Sequence, residues 1–464
     1  MLAQTAPPSS QQRGCNSEAL GCNVPNDRSE VPRRRHKSGR NEIPPRTCNV
    51  GSPPPMRMTF PKPNARTILV LLAGLAFVVK VLLALHTFGS FDVLTWQRDL
   101  EAIHLRGVPD LYRNGISYFS PEGRLLITQS FIHPPFIIHA LHVWEWLSIG
   151  TGLPVQFWIR FTCAVADVAS LMLLAGVLRR GGVERVDERL SLVAMCPVSI
   201  LISGFHGNTD PIMMTFVVAS IYLIESRGAA WVGGVSLGMA LNIKLAALIF
   251  VPAIGLHVPG IRRKLELGGA AAATFLIGSM PYLLQEPRLI LSRIGGYKSQ
   301  FGPWGAARIC FAFAQDDTLP GVCNAYRAHG RFIPLLLIIG ATIWMMRRKN
   351  TLPLLHLTGL AALMFLAFTP GFGVQYLAWL VPFTALFRRW PALLYHMVSG
   401  AFLFAYYNRA AQGLPWYFAN SVANPVWYGH VVYLGLLCWI VICAGVVVLV
   451  SGSPATSESA TRSP

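Results

Sequence analysis

Charge is scarce in this chain of 464 residues: 13% are Asp, Glu, Lys or Arg, about half the share of an ordinary soluble domain. Acidic residues are scarcer still, 21 against 39 Lys and Arg. The nine cysteines form neither a CxxC pair nor a Cys/His metal spacing, which excludes a zinc ribbon or a dithiol redox motif. Most sit singly in apolar runs and read as small buried hydrophobes. No internal repeat is visible, which argues against the paired halves of many secondary transporters. Neither an Asn-x-Ser/Thr sequon nor a C-terminal retention signal occurs. That favours a bacterial cytoplasmic membrane over the alternative, the ER membrane.

What the chain has instead is apolar length. Hydrophobic residues make up 53% of it, and residues 67–450 are a series of apolar runs broken by short basic or Gly/Pro punctuation. Such runs match the ~20 residues that cross a ~30 Å hydrocarbon core. The pattern predicts an all-α polytopic membrane protein and excludes a soluble enzyme and a single-span anchor. The net charge of +18 lies in the N-terminal segment and between the runs. That is the positive-inside pattern, so the expected partner is the lipid bilayer and not nucleic acid.

Three regions follow. Residues 1–65, with Arg33-Arg34-Arg35 and Pro53-Pro54-Pro55, read either as a disordered basic cytosolic segment or as an over-extended start with Met56 or Met58 as initiator. Residues 66–450 form the membrane domain, and 451–464 a disordered tail. The expected spans, about 12 in number, are 68–88, 157–178, 190–205, 211–226, 229–243, 245–258, 265–284, 331–346, 352–369, 374–387, 391–407 and 430–450. The stretch Phe131–Gly150 has span length but contains His133, His139, His142 and Glu145 with Trp144 and Trp146. Imidazoles and a carboxylate are costly in lipid, so a helix lying at the interface is expected. Charge parity agrees: on this reading Arg179, Arg180, Arg185, Arg189, Arg227, Arg262, Arg263, Lys264, Arg347, Arg348, Lys349, Arg388 and Arg389 all face the cytosol. The long first and fourth extracytoplasmic loops are then 89–156 and 285–330.

Polar groups concentrate at the outer span ends. Asp92 leaves the first span and is placed to accept a proton from a hydroxyl held at the interface. His133 opens a rigid His-Pro-Pro turn. Arg160 and Asp167, seven residues apart, share one face of the second span, and an intramembrane Asp is a pairing or functional candidate. His206, Asn208 and Asp210 crowd the turn after the third span, and Lys244 is an ammonium in an apolar run that must snorkel or meet an anion. Arg293, Tyr297, Lys298 and Trp304 in the fourth outer loop suit a phosphate and a sugar ring. Gln375 and Tyr376 sit in another outer turn. Each has an ordinary alternative: a solvated carboxylate, a helix start, helix pairing or a polar loop. Cys310 and Cys323 share the fourth loop, where an oxidising compartment allows a disulfide.

In this order the motifs Phe91-Asp92, His133-Pro134-Pro135, Arg160 with Ala166-Asp167, His206-Gly207-Asn208, Tyr297 to Gly305 and Gln375-Tyr376-Leu377 resemble the GT-C superfamily of integral-membrane glycosyltransferases. The likeness is to polyprenyl- or dolichyl-phosphate-sugar-dependent hexosyltransferases, mannosyltransferase-like proteins among them, and covers about residues 66–440. The resemblance implies a GT-C-like bundle that moves a hexose, mannose or glucose, from a polyprenyl-phosphate donor to a glycan or glycolipid acceptor. It implies extracytoplasmic, inverting transfer with Asp92 as general base and the other named residues around the substrates. Val93 stands where relatives often carry a second acid, and His206-Gly207-Asn208-Thr209-Asp210 is not an Asp-x-Asp metal motif, so no metal and no cofactor are expected. The alternatives are a flippase or transporter of a lipid-linked or amphipathic substrate, and a non-catalytic scaffold subunit.

Overall fold

The computed structural model describes residues 64–119, 123–296, 300–313, 320–348 and 352–451. The basic N-terminal segment, the Ser-rich tail, Tyr297, Lys298 and Lys349 lie outside these residues. In chain order the elements begin with α1 (Ala65–His86), β1 (Gly89–Ser90), α2 (Phe91–Arg106), α3 (Val108–Asn114), β2 (Ile116–Phe119), β3 (Leu125–Gln129), α4 (Phe136–Thr151) and α5 (Val155–Arg180). They continue through α6 (Val186–Ala194), α7 (Pro197–Leu201), a π-helical turn (Ile202–His206), α8 (Asp210–Arg227) and α9 (Ala230–Ile243). A 3-10 segment (Leu245–Phe250) leads into α10 (Val251–His257) and α11 (Ile261–Leu283), followed by α12 (Pro287–Gly295), α13 (Gly305–Phe313), α14 (Pro320–His329), α15 (Phe332–Arg348) and α16 (Leu354–Phe368). Two more 3-10 segments (Val374–Leu380, Pro382–Leu386), α17 (Arg389–Ala410), β4 (Phe418–Ala419) and α18 (His430–Ser451) complete the described chain.

The protein is thus nearly all-α, and each expected span falls on a helical stretch. The count of about 12 full crossings is not reproduced. Among the described residues, three helices are long and apolar enough to cross a membrane alone: α1, α5 and α18. Two bent pairs raise the number to five, α6 with Pro197–His206 (40°) and Gly321–His329 with Phe332–Arg347 (70°). Ala230–Ile243, Leu245–His257, Leu354–Phe368 and Val374–Leu386 are apolar but only 10–17 residues long. At 1.5 Å per residue the 14 residues of α9 reach ~21 Å, short of the ~30 Å core. The 131–150 stretch becomes α4, 16 residues and not among the helices that pass as spans.

Small residues let the bundle close. Gly234 and Gly238 of α9, one turn apart, face the backbone of α11, where added Cβ atoms would meet Leu267 O at 2.3 Å and Ala271 O at 2.5 Å. This is the close small-xxx-small crossing that suits helices in lipid, where packing replaces hydrophobic drive. Outside the bundle, β2 and β3 form an antiparallel hairpin. The two-residue strands β1 and β4 pair in parallel, Gly89 with Phe418 and Ser90 with Ala419. Cys310 and Cys323 are bonded to each other, with Cα atoms 5.3 Å apart.

Candidate active site

Four local features place Asp92. The first is the end of α1, whose last carbonyls have no intrahelical partner. Arg160 of α5, fully buried, donates to Ala84 O (2.9 Å), Thr87 O (2.7 Å) and Thr87 Oγ1 (2.8 Å). A cation there also complements the negative end of the helix dipole. The second is the β1–β4 pair, reinforced where Phe88 N and Gly89 N donate to Tyr417 O at 2.8 and 3.1 Å. Gly89 has φ +110°, and a Cβ there would meet Phe205 O at 2.8 Å. The third is Ser90, the N-cap of α2: its Oγ accepts from Asp92 N at 3.2 Å and donates to His206 O at 2.6 Å.

The fourth is the π-helical turn, a local widening found often at functional sites. Its Ser203 Oγ donates to Asp167 Oδ2 (2.6 Å), which also accepts from Ser199 Oγ (2.7 Å) and Lys80 Nζ of α1 (2.5 Å). The turn ends at Gly207, φ +80°, where a Cβ would lie 2.3 Å from Val93 Cγ2. Only glycine lets the turn close onto α2. Trp96 Nε1 then donates to Gly207 O at 3.1 Å.

Asp92 Oδ2 therefore meets two donors, His206 Nε2 at 3.0 Å and Asn208 Nδ2 at 2.5 Å. A carboxylate only accepts, so the network assigns the His206 proton to Nε2. The other oxygen, Oδ1, has no hydrogen-bond partner among the described residues, and the side chain is 29% exposed. Burial raises the Asp92 pKa, but the His206 charge and hydrogen bond, the Asn208 amide and the Lys244 charge outweigh it and hold the carboxyl at about 2. His133 is held neutral, its pKa lowered to about 3 by burial and then by Lys244.

These groups line a cavity of about 280 Å³ with Ser90, Thr95, Trp96, Gln129, Gln300, Phe372, Gln375, Tyr406, Ser421 and Trp427. Lys244 enters it from behind: Asp210, fully buried, accepts from Lys244 Nζ through both oxygens (3.0 and 2.8 Å) and from Trp379 Nε1 (2.5 Å). The cavity opens into a vestibule of about 1330 Å³ with which it shares Phe91, Gln129, Ile132, Gln300, Tyr406, Ser421 and Trp427. Arg293 and Arg308 are on the vestibule wall. From Arg308, Trp427 and Tyr428 an apolar groove of about 420 Å³ runs past Ile309, Ala312, Val432 and Leu436, between α13 and α18.

Of the residues singled out from sequence, Asp92, His133, His206, Asn208, Lys244 and Gln375 converge on the cavity, and Arg293 lies further out. Arg160 and Asp167 do not reach it, because their polar atoms are spent on α1 and the π-helical turn. Asp210 is screened behind Lys244. Trp304 is buried, stacked on Phe372 at 3.9 Å with its Nε1 donating to Leu366 O. Tyr376 lies in the core, stacked on Trp379 at 4.5 Å with Lys244 5.4 Å from its ring centre. Among the lining residues that the sequence did not single out, Ser90, Thr95, Trp96, Gln129, Gln300 and Phe372 lie in or near flagged segments, whereas Tyr406, Ser421 and Trp427 come from the end of α17 and the loop after it. The Trp, Asn and Ser content of 412–428 is the available signal.

The sequence profile of glycosyltransferase family 87 matches residues 131–370. The chain belongs to glycosyltransferase family 87. No curated protein matches it. Family 87 enzymes are membrane glycosyltransferases of the GT-C type, so this is an integral-membrane transferase acting with a sugar donor and a glycan acceptor. Membership decides against the transporter and scaffold readings. Asp92 lies N-terminal to the matched stretch and Gln375, Tyr406, Ser421 and Trp427 C-terminal to it, so this family 87 chain completes its cavity from both flanks.

The His206–Asp92 contact has a titration consequence. With its folded pKa below the usual 3.8, Asp92 contributes stability above about pH 4 that is lost as pH falls toward 2. His206→Gln removes the charge that opposes burial, so the Asp92 pKa rises. The acid limb of the transfer rate should shift upward in that variant, read from rate–pH profiles of the two proteins side by side. Superimposable acid limbs would contradict the coupling.

Proposed function

We propose that this family 87 enzyme transfers a hexose, mannose or glucose, from a polyprenyl-phosphate donor to a glycan or glycolipid acceptor on the extracytoplasmic side, with inversion. The observation that carries the proposal is the divided Asp92 carboxylate: Oδ2 held by two donors, Oδ1 open to the cavity. The acceptor oxygen attacks the anomeric carbon from the face opposite the phosphate. The C–O bond to phosphate breaks with its electron pair, and the acceptor proton passes to Asp92 Oδ1. A carboxylate held at about 2 is a weak base toward a free alcohol. It suffices once the attacking oxygen has become oxonium-like, so proton transfer comes late.

Lys244 faces the departing phosphate: two of its hydrogen bonds go to Asp210 and one N–H remains for the cavity. Neutral His133, Gln375 and the Trp96, Tyr406 and Trp427 rings suit sugar hydroxyls and ring faces. The apolar groove beyond Arg308 suits an isoprenoid tail, which supports a lipid donor over a soluble nucleotide sugar. The basic residues at the opposite span ends support the extracytoplasmic side.

Purified enzyme in nanodiscs, given radiolabelled polyprenyl-phosphate mannose or glucose with membrane-extracted acceptor, should transfer label with inverted configuration. Transfer from nucleotide sugars alone would refute the donor class, and retained configuration would refute the single-displacement role of Asp92.

A further inference from the structure

A second cluster of ligand-type side chains lies away from the cavity. His104 lies in the last turn of α2, and His142 and Glu145 stand one turn apart on α4; their ligand atoms lie within 4.8 Å of one another, the one such group of His, Cys, Asp or Glu among the described residues. His104 Nε2 is 2.9 and 3.1 Å from the two Glu145 oxygens, and His142 Nδ1 is 3.6 Å from Glu145 Oε2. A tetrahedral ion with bonds of ~2.0–2.2 Å separates its ligands by about 3.3–3.5 Å. The spacings from Glu145 to the two imidazoles bracket that value and the two imidazoles lie within 4.8 Å of each other, so small rotamer adjustments would admit an ion.

The side chains are 51%, 40% and 25% exposed for His104, His142 and Glu145. An ion can therefore enter from water and keep water in the open position. Two imidazoles and one carboxylate suit a borderline ion such as zinc and not the all-oxygen shell of calcium or magnesium.

We propose that His104, His142 and Glu145 form a zinc-class divalent metal site that staples the end of α2 to α4. The site is separate from the transfer chemistry and does not depend on the reading of Asp92. Twelve residues of helix, about 18 Å, part His104 from Asp92. Its role is bracing: Asp92 lies in the first turn of α2 and His133 precedes α4 by the Pro134-Pro135 pair, so a metal joining the distal parts of the two helices fixes elements whose near ends adjoin the cavity.

The test uses the full chain, purified through a tag without histidine, stripped with chelator and titrated with zinc by calorimetry, with cobalt absorption as a second readout. One zinc per chain is expected to bind, and zinc should raise the thermal midpoint of the wild type. His104→Ala and His142→Ala should each weaken binding at least about tenfold and abolish the thermal shift. Glu145→Gln, which keeps the hydrogen bond to His104, should weaken it as well. His139→Ala, on the same helix but with its ring against Tyr282, should bind like the wild type. Zinc binding by the wild type no tighter than by His104→Ala/His142→Ala, or equal loss in His139→Ala, would overturn the site.

Discussion

Asp92→Asn is expected to lower glycosyl transfer by about a thousandfold or more while leaving the protein folded and able to bind its lipid donor. General-base catalysis contributes on the order of 10²–10⁴. Asparagine keeps the shape and, with its carbonyl oxygen at the Oδ2 position, still accepts from His206 and Asn208, but it then presents an NH2 and no basic oxygen at the Oδ1 position. The readouts are single-turnover transfer, donor binding and helical content on the same preparation. Loss of donor binding in step with loss of transfer would assign Asp92 to substrate binding. Wild-type turnover would remove it from the chemistry altogether.

Asp210→Ala should have the largest effect on stability. Lys244 is buried, and both oxygens of Asp210 receive its ammonium while Trp379 donates to the same carboxylate. Removing one partner of a buried pair leaves an uncompensated charge and costs about 3–5 kcal/mol. Trp379 Nε1 also loses its acceptor. A lowered thermal midpoint in detergent, with reduced folded yield, is the expected result. Lys244→Met combined with Asp210→Asn should recover much of that loss, since no buried charge remains, yet stay defective in transfer. An Asp210→Ala protein as stable as the wild type would mean that the pair is not buried as described.

What the sequence made legible follows a physical pattern. Asp92, His206 and Asn208 were visible because polar side chains at span ends have few reasons to be there. Their meeting was not, since it depends on Gly89 and Gly207 admitting backbone where a Cβ would collide. The shared face of Arg160 and Asp167 was right, but that face looks onto α1, where the Lys80 ammonium and the α1 terminus take both groups. A buried charge with a hidden structural partner reads in sequence like a site residue. The apolar stretches were located but a count of about 12 full crossings is not confirmed, because hydropathy marks an apolar stretch without telling a full crossing from a 14-residue helix beside a 3-10 turn. Ser421 and Trp427 went unseen because a loop of mixed aromatics and amides looks like any connection until it folds back over a cavity, and Tyr406 because it reads as one more apolar-run aromatic of α17.

The pairing of Gly89 and Ser90 with Phe418 and Ala419 has a consequence for the order of biosynthesis. The strand beside the proposed base waits for its mate until more than three hundred further residues have left the ribosome. The proposed base, Asp92, and the proposed phosphate ligand, Lys244, are already synthesised by then, before β1 can pair. A nascent chain halted before position 418 carries Asp92 and Lys244 without this strand pairing, so the surroundings of the proposed base close only after β4 is made.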